Sequence, residues 1–171
     1  MSPNPASDMP PADLSSLDPL SPFVTGDHAR LREQVREFAT AEVAPRVPHM
    51  EAHPDRVERH LAMRIAEQGW IGVTIPPAYG GMGAGHVAKT VIIEELARVS
   101  GAVGAIVQAS QLGVAKILHF GTEEQKSTWL PPIAAGEVLP TIAVTEPDSG
   151  GHVLGMQATA QRDGDDYILH G

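Results

Sequence analysis

Apolar positions recur with a helical period over most of the chain, and the period changes only near the end. Leu31, Val35, Phe38, Ala39 and Val43 form one stripe, with Arg, Glu and Gln between them. That spacing predicts a first helix, with Asp27 as its N-cap and Pro45 as its stop. Pro54 suits the first position of a second helix, whose buried face is Val57, Leu61 and Ile65 and whose C-cap is Gly69. Trp70 to Ile75 alternates apolar side chains and reads as an extended run. Pro76-Pro77 and Gly80, Gly81, Gly83 and Gly85 read as a loop.

A third helix is predicted over His86 to Val99, with Val87, Val91, Ile92, Leu96 and Val99 inward and Glu94-Glu95 on the solvated side. Ala102 to His119 is small and apolar nearly all round, which predicts a fourth helix buried on most sides at the centre of a bundle. Gly121 caps it. Thr122 and Gln125 have the spacing of a capping box for a short fifth helix, which Pro131-Pro132 disturb and Gly136 ends. Beyond Gly136 the period becomes extended. Thr141 to Thr145, Met156 to Gln161 and Tyr167 to His170 read as strands, the last two joined by a turn over Asp163 to Asp166.

The predicted class is therefore α+β. It has a tail over 1–26, an all-α bundle over 27–136, and the first strands of an antiparallel β domain over 137–171. Three strands with open edges make an incomplete sheet, so the expectation is a truncated domain or one piece of a split enzyme.

Composition narrows the function. Of 171 residues, 42% are hydrophobic and 19% charged, a globular balance. The formal net charge of −9 argues against nucleic acid and against an anionic membrane surface as partners. With no cysteine there is no disulfide framework, thiolate nucleophile or Cys-type zinc site. No run reaches the ~18 apolar residues of a membrane span. The Pro-, Ser- and Asp-rich start carries no basic residue before His28. It lacks the features of a secretory or transit leader, so the expected location is the cytoplasm.

Most candidate chemistry fails on context. Gly83-Ala84-Gly85-His86-Val87-Ala88 matches the dinucleotide fingerprint letter for letter. However, two prolines and a tyrosine separate it from any strand, and no βαβ unit follows. His49 and His53 are four apart around Glu51, but Pro48 and Pro54 bracket them, so no metal site is assigned. Adjacent Glu94 and Glu95 point about 100° apart on a helix and make a poor catalytic pair. Trp70 and Trp129 read as packing residues, because no basic patch accompanies them. The stretch that stands out is Leu139 to Gly151, an apolar β-branched segment running into Glu146-Pro147-Asp148-Ser149-Gly150-Gly151. Polar groups at a strand end, on a loop whose glycines let backbone amides approach a ligand, suit a flat anionic cofactor.

That stretch resembles the flavin-binding signature of the acyl-CoA dehydrogenase family, Thr-Glu-Pro-x-x-Gly-Ser-Asp. Thr145-Glu146-Pro147 and Gly150 match. Gly151 stands where the family usually has Ser, and His152 where it usually has Asp. Phe120-Gly121-Thr122-Glu123-Glu124-Gln125-Lys126, Trp129-Leu130-Pro131, Pro77 to Gly83, and Thr159 to Gly171 resemble further family segments in the same order. The resemblance implies FAD as cofactor and Cα–Cβ oxidation of an acyl thioester, carried on CoA or on an acyl carrier protein. A carboxylate would remove the α-proton while hydride passes to the flavin.

The resemblance also implies that Ile142, Ala143, Val144 and Thr145 contact the flavin ring and that Glu146 shapes the turn. Gly150 and Gly151 would lie near the diphosphate, with Gly151 also against the substrate's pantetheine arm. The family's base is a Glu in a C-terminal helical domain, so none is assigned among Glu94, Glu95, Glu123, Glu124 or Glu146. The family association is a dimer or tetramer; a complex with a chain carrying the remaining domains is the other arrangement expected. Replacing the usual Ser by Gly151 removes one hydrogen bond, worth about 0.5–1.5 kcal/mol. That leaves room for a carrier-protein substrate or a flavin monooxygenase on the same fold. A non-catalytic helical interaction module is the reading outside enzymology.

Overall fold

The computed structural model describes residues 23–53, 55 and 58–171. Pro54, Val57 and nearly all of the 1–26 tail lie outside the described residues. Six α-helices and one hairpin follow in order: α1 Gly26–Phe38, α2 Val47–Ala52, α3 Arg59–Glu67, α4 Gly85–Val99, α5 Gly101–Phe120, α6 Glu123–Ala134, β1 Thr159–Asp163 and β2 Asp166–His170. α1 packs on α4, α4 on α5 and α5 on α6. The apolar stripes predicted from the sequence meet in one core, which includes Val35, Leu61, Ile65, Ile92, Leu96, Val107 and Leu130.

The helix ends differ from expectation where a local device intervenes. Thr25, not Asp27, caps α1, and His28 Nδ1 accepts its N–H at 3.1 Å. Pro45 does not stop the chain's helical course. The backbone widens to a π-turn over Ala39–Val43 and tightens to a 3₁₀ turn over Ala44–Arg46. It thus passes the proline without needing its missing N–H and enters α2. Likewise α6 runs through Pro131 and Pro132. The capping box that starts α6 is as predicted, with both bonds between Thr122 and Gln125 formed, at 2.9 and 3.2 Å. Gly69 and Gly136, at φ of +80° and +77°, end α3 and α6 as expected.

Trp70 to Ile75 is not extended. It is a run of turns, with Gly72 N donating to Gly69 O and Ile75 N to Gly72 O. The alternation correctly marked Ile71, Val73 and Ile75 as core, since all three are fully buried. The core is instead reached by coiling the loop. Gln111 of α5, buried, secures it by donating to Ile71 O at 2.6 Å and accepting from Thr74 Oγ1 at 2.5 Å.

α5 is also less enclosed than predicted. Val103, Val107 and Val114 face the core, while Ala105, Leu112 and Phe120 lie on an open side. By length and composition alone α5 could cross a bilayer, which corrects the expectation of no such run. Here it packs as a core helix.

Glu95 overturns its assignment to the solvated side. It follows Ala88, Val91 and Ile92 at helical spacing, so the fold buries it at 3% exposure. Arg36 grips it with two bonds, Nη2 at 2.7 Å and Nε at 3.1 Å, and Arg98 Nε adds a third at 3.2 Å. Hydrogen bonding from Arg36, then from Arg98, holds its carboxyl below the ordinary carboxylate range against the opposing effect of burial.

Candidate functional site

Between α6 and β1 lies the stretch singled out above. Pro140 leads into it and rests on α5 at Gly113, where an added Cβ would stand 2.6 Å from Pro140 Cβ and 3.2 Å from its carbonyl carbon. A glycine at 113 therefore sets how closely the strip approaches the bundle. We expect Gly113→Ala to displace Pro140 and to cost about 1–3 kcal/mol as overpacking. Urea denaturation measures the cost, and amide shifts over 141–145 report the displacement.

Thr141 to Thr145 is not a strand, contrary to the sequence reading. It is solvent-facing, with Ile142 half-buried and Thr141, Ala143, Val144 and Thr145 exposed. The physical reason is that a strand exists only through a partner ladder, and no described residue supplies one. No described residue hydrogen-bonds the backbone of Ala143, Val144 or Thr145, or the Thr145 hydroxyl. The strip therefore presents free N–H and C=O groups at 143–145 and the free Thr145 hydroxyl. The next strand signal, Met156 to Gln161, contracts to β1 at Thr159. β1 pairs antiparallel with β2, with Thr159 opposite His170 and Asp163 opposite Asp166. Both strands are exposed throughout.

The loop after the strip is stitched tightly. Glu146 N donates to Ser149 O at 2.9 Å and Ser149 N to Glu146 O at 3.2 Å, closing a turn with Pro147-Asp148 at its corner. Ser149, at 1% exposure, donates its hydroxyl to His152 O at 2.8 Å. The Glu146 carboxylate accepts from Gln157 N at 2.6 Å and Ala158 N at 3.0 Å. Among the sequence-predicted site residues, Glu146 is thus engaged by its own loop. Gly150 and Gly151 are exposed, and a Cβ on either would meet no atom within 4 Å.

The residues present fit the edge of a flat, anionic cofactor. Free amides and the Thr145 hydroxyl are donors, and two unscreened glycines leave backbone open to approach. Ser149 was missed in the sequence, where nothing in Pro-Asp-Ser-Gly-Gly signals burial. The other candidates do not assemble. His49 and His53 stack at 4.4 Å with His53 Nδ1 bonded to His49 O. No group of three metal-ligating side chains occurs among the described residues. The Gly83–Ala88 fingerprint runs into the first turn of α4, with turns rather than a strand before it. Trp70 is core, edge-on to Phe38 at 5.1 Å. Trp129 is 49% exposed, so it is not the packing residue expected.

Fold and strip together define a class: a helical module followed by an amide-rich segment and a two-stranded antiparallel hairpin. The family model for "Acyl-CoA dehydrogenase, N-terminal domain" matches residues 25–137. The chain belongs to the acyl-CoA dehydrogenase family. It is 37% identical over 149 residues to an acyl-CoA dehydrogenase of Bacillus subtilis, covering 86% of this chain and 39% of that protein. It is 36% identical over 141 residues to the (2S)-methylsuccinyl-CoA dehydrogenase of Cereibacter sphaeroides, covering 82% and 26%. A solved acyl-CoA dehydrogenase from Bacillus anthracis, complexed with FAD, superposes with a TM-score of 0.79 at 32% identity, covering 86% and 26%. The chain thus spans between a quarter and two fifths of the length of these relatives.

Proposed function

We propose that this chain supplies the helical wall and the flavin-contacting strip of a FAD-dependent oxidoreductase that desaturates an acyl thioester. Bound FAD would accept the hydride that leaves the β-carbon. The observation that carries the reading is the strip itself: unpaired amides at 143–145, the free Thr145 hydroxyl, and the open backbone at Gly150–Gly151. In the proposal, Ile142 supplies an apolar edge. The amides of Ala143 and Val144, with the Thr145 hydroxyl, donate to the ring edge, where preorganised donors stabilise added electron density. Gly150 and Gly151 admit the diphosphate, and Gly151 also admits the thioester's arm on CoA or a carrier protein. No carboxylate of this chain is placed as the base. Glu95 is locked by arginines, Glu146 is engaged by its loop, and Glu94, Glu123 and Glu124 face solvent on helices. In the proposal the base is the Glu that the family resemblance places in a C-terminal helical domain.

A chimera tests this. Residues 25–171 replace the matching segment of the full-length Bacillus subtilis relative, and the purified protein is read for a flavin absorbance band after desalting. A yellow chimera is expected. A folded chimera that stays colourless in excess FAD contradicts the reading and leaves the non-catalytic interaction module as the better one.

A further inference from the structure

Glu146 makes contacts that go further than a turn requires. Its backbone closes the Pro147-Asp148 corner onto Ser149, while its carboxylate reaches eleven and twelve residues ahead to Gln157 N and Ala158 N. Ala158 immediately precedes β1. One side chain therefore ties the end of the 141–145 strip to the root of the hairpin. Within the ring it closes, Ser149 is buried and holds His152 O, and Gly150–Gly151 project at the tip without neighbours. The contacts are charge-assisted and point both carboxylate oxygens at backbone donors, the geometry that gives short, strong bonds. Closing a loop of this size costs little entropy per added residue, so a single two-point acceptor can hold it shut.

We propose that Glu146 is a positioning residue. Its carboxylate clamps Gln157 and Ala158 so that the free amides of 143–145 and the Gly150–Gly151 tip keep one fixed spacing. The functional half of this inference rests on the flavin reading above; the mechanical half does not. The clamp requires two acceptors at full side-chain length. Glu146→Gln converts one acceptor into a donor that faces an N–H. Glu146→Asp is one methylene too short to reach both. Neither substitution touches the bundle, because both amides it serves lie beyond α6.

The test is amide hydrogen exchange by NMR on the full chain, comparing Glu146→Gln and Glu146→Asp with the parent. Exchange at Gln157 and Ala158 is expected to rise about tenfold or more, the loss of one charge-assisted bond. Amide shifts at Ala143 to Thr145 and at Gly150–Gly151 should move with it, while α1 to α5 stay unchanged. Unchanged exchange at 157 and 158 overturns the clamp. Raised exchange with no movement at 143–145 or 150–151 overturns its positioning role. FAD added to the same samples separates the two readings. If the parent never responds to FAD while the clamp signatures hold, the flavin reading fails and the mechanical inference stands.

Discussion

Gly81→Ala is expected to cost about 3 kcal/mol or more of stability. An added Cβ would stand 2.1 Å from the Ile75 carbonyl oxygen, 2.4 Å from Ile75 Cβ and 2.6 Å from its carbonyl carbon. Two of these atoms are backbone, and Ile75 is fully buried, so no flexible side-chain end can swing aside. The loop cannot open cheaply either. Met82 N donates to Gly72 O, Gly83 N to Ile75 O and Ala84 N to Val73 O, which binds both limbs together. Thermal unfolding should show a large drop in Tm. Gly101→Ala, where a Cβ meets nothing within 4 Å, is the control and should stay within about 0.5 kcal/mol of the parent.

Glu95→Ala should cost about 2 kcal/mol. The carboxylate is buried and carries three hydrogen bonds from Arg36 and Arg98. Both arginine side chains are 53% exposed, so they regain water when orphaned, and the less exposed Arg32, 3.9 Å from Glu95, keeps its pairing with Glu94. The loss therefore falls short of the roughly 3–5 kcal/mol that follows breaking a fully buried pair. The pH dependence has a definite sign. The folded-state pKa of Glu95 is lowered, so its contribution is fully present above the unfolded carboxylate value of about 4.3 and is lost as pH falls through the folded value. Acid titration of stability should be steeper below pH ~4 in the parent than in Glu95→Gln. Equal slopes would show that the arginines do not hold the charge.

Helical periodicity made most of the fold legible because a bundle buries stripes, and the stripes of α1, α3 and α4 were written plainly. The same rule, applied through to Glu95, would have placed it with Val91 and Ile92. Its charge hid a position that its spacing gave away. Proline signals failed at Pro45 and at Pro131-Pro132. A missing N–H can be absorbed by a π-turn, or tolerated in the last turns of a helix. Alternation at 70–75 identified buried side chains but not the backbone path, since turns of i to i+3 can also deliver every second residue inward. The candidate site was legible as a motif and not as a conformation. Glu146, Gly150 and Gly151 fall in the turn that the Pro, Asp and Gly residues there predict. The strand predicted for 141–145 needs a ladder that no described residue provides.

The most direct test of the central claim is a map of amide shift changes when FAD is titrated into the full chain. Perturbations centred on Ile142, Ala143, Val144, Thr145, Gly150 and Gly151, with α1 to α4 silent, are the predicted result. A map centred elsewhere on the bundle, or no perturbation at saturating FAD, would contradict it.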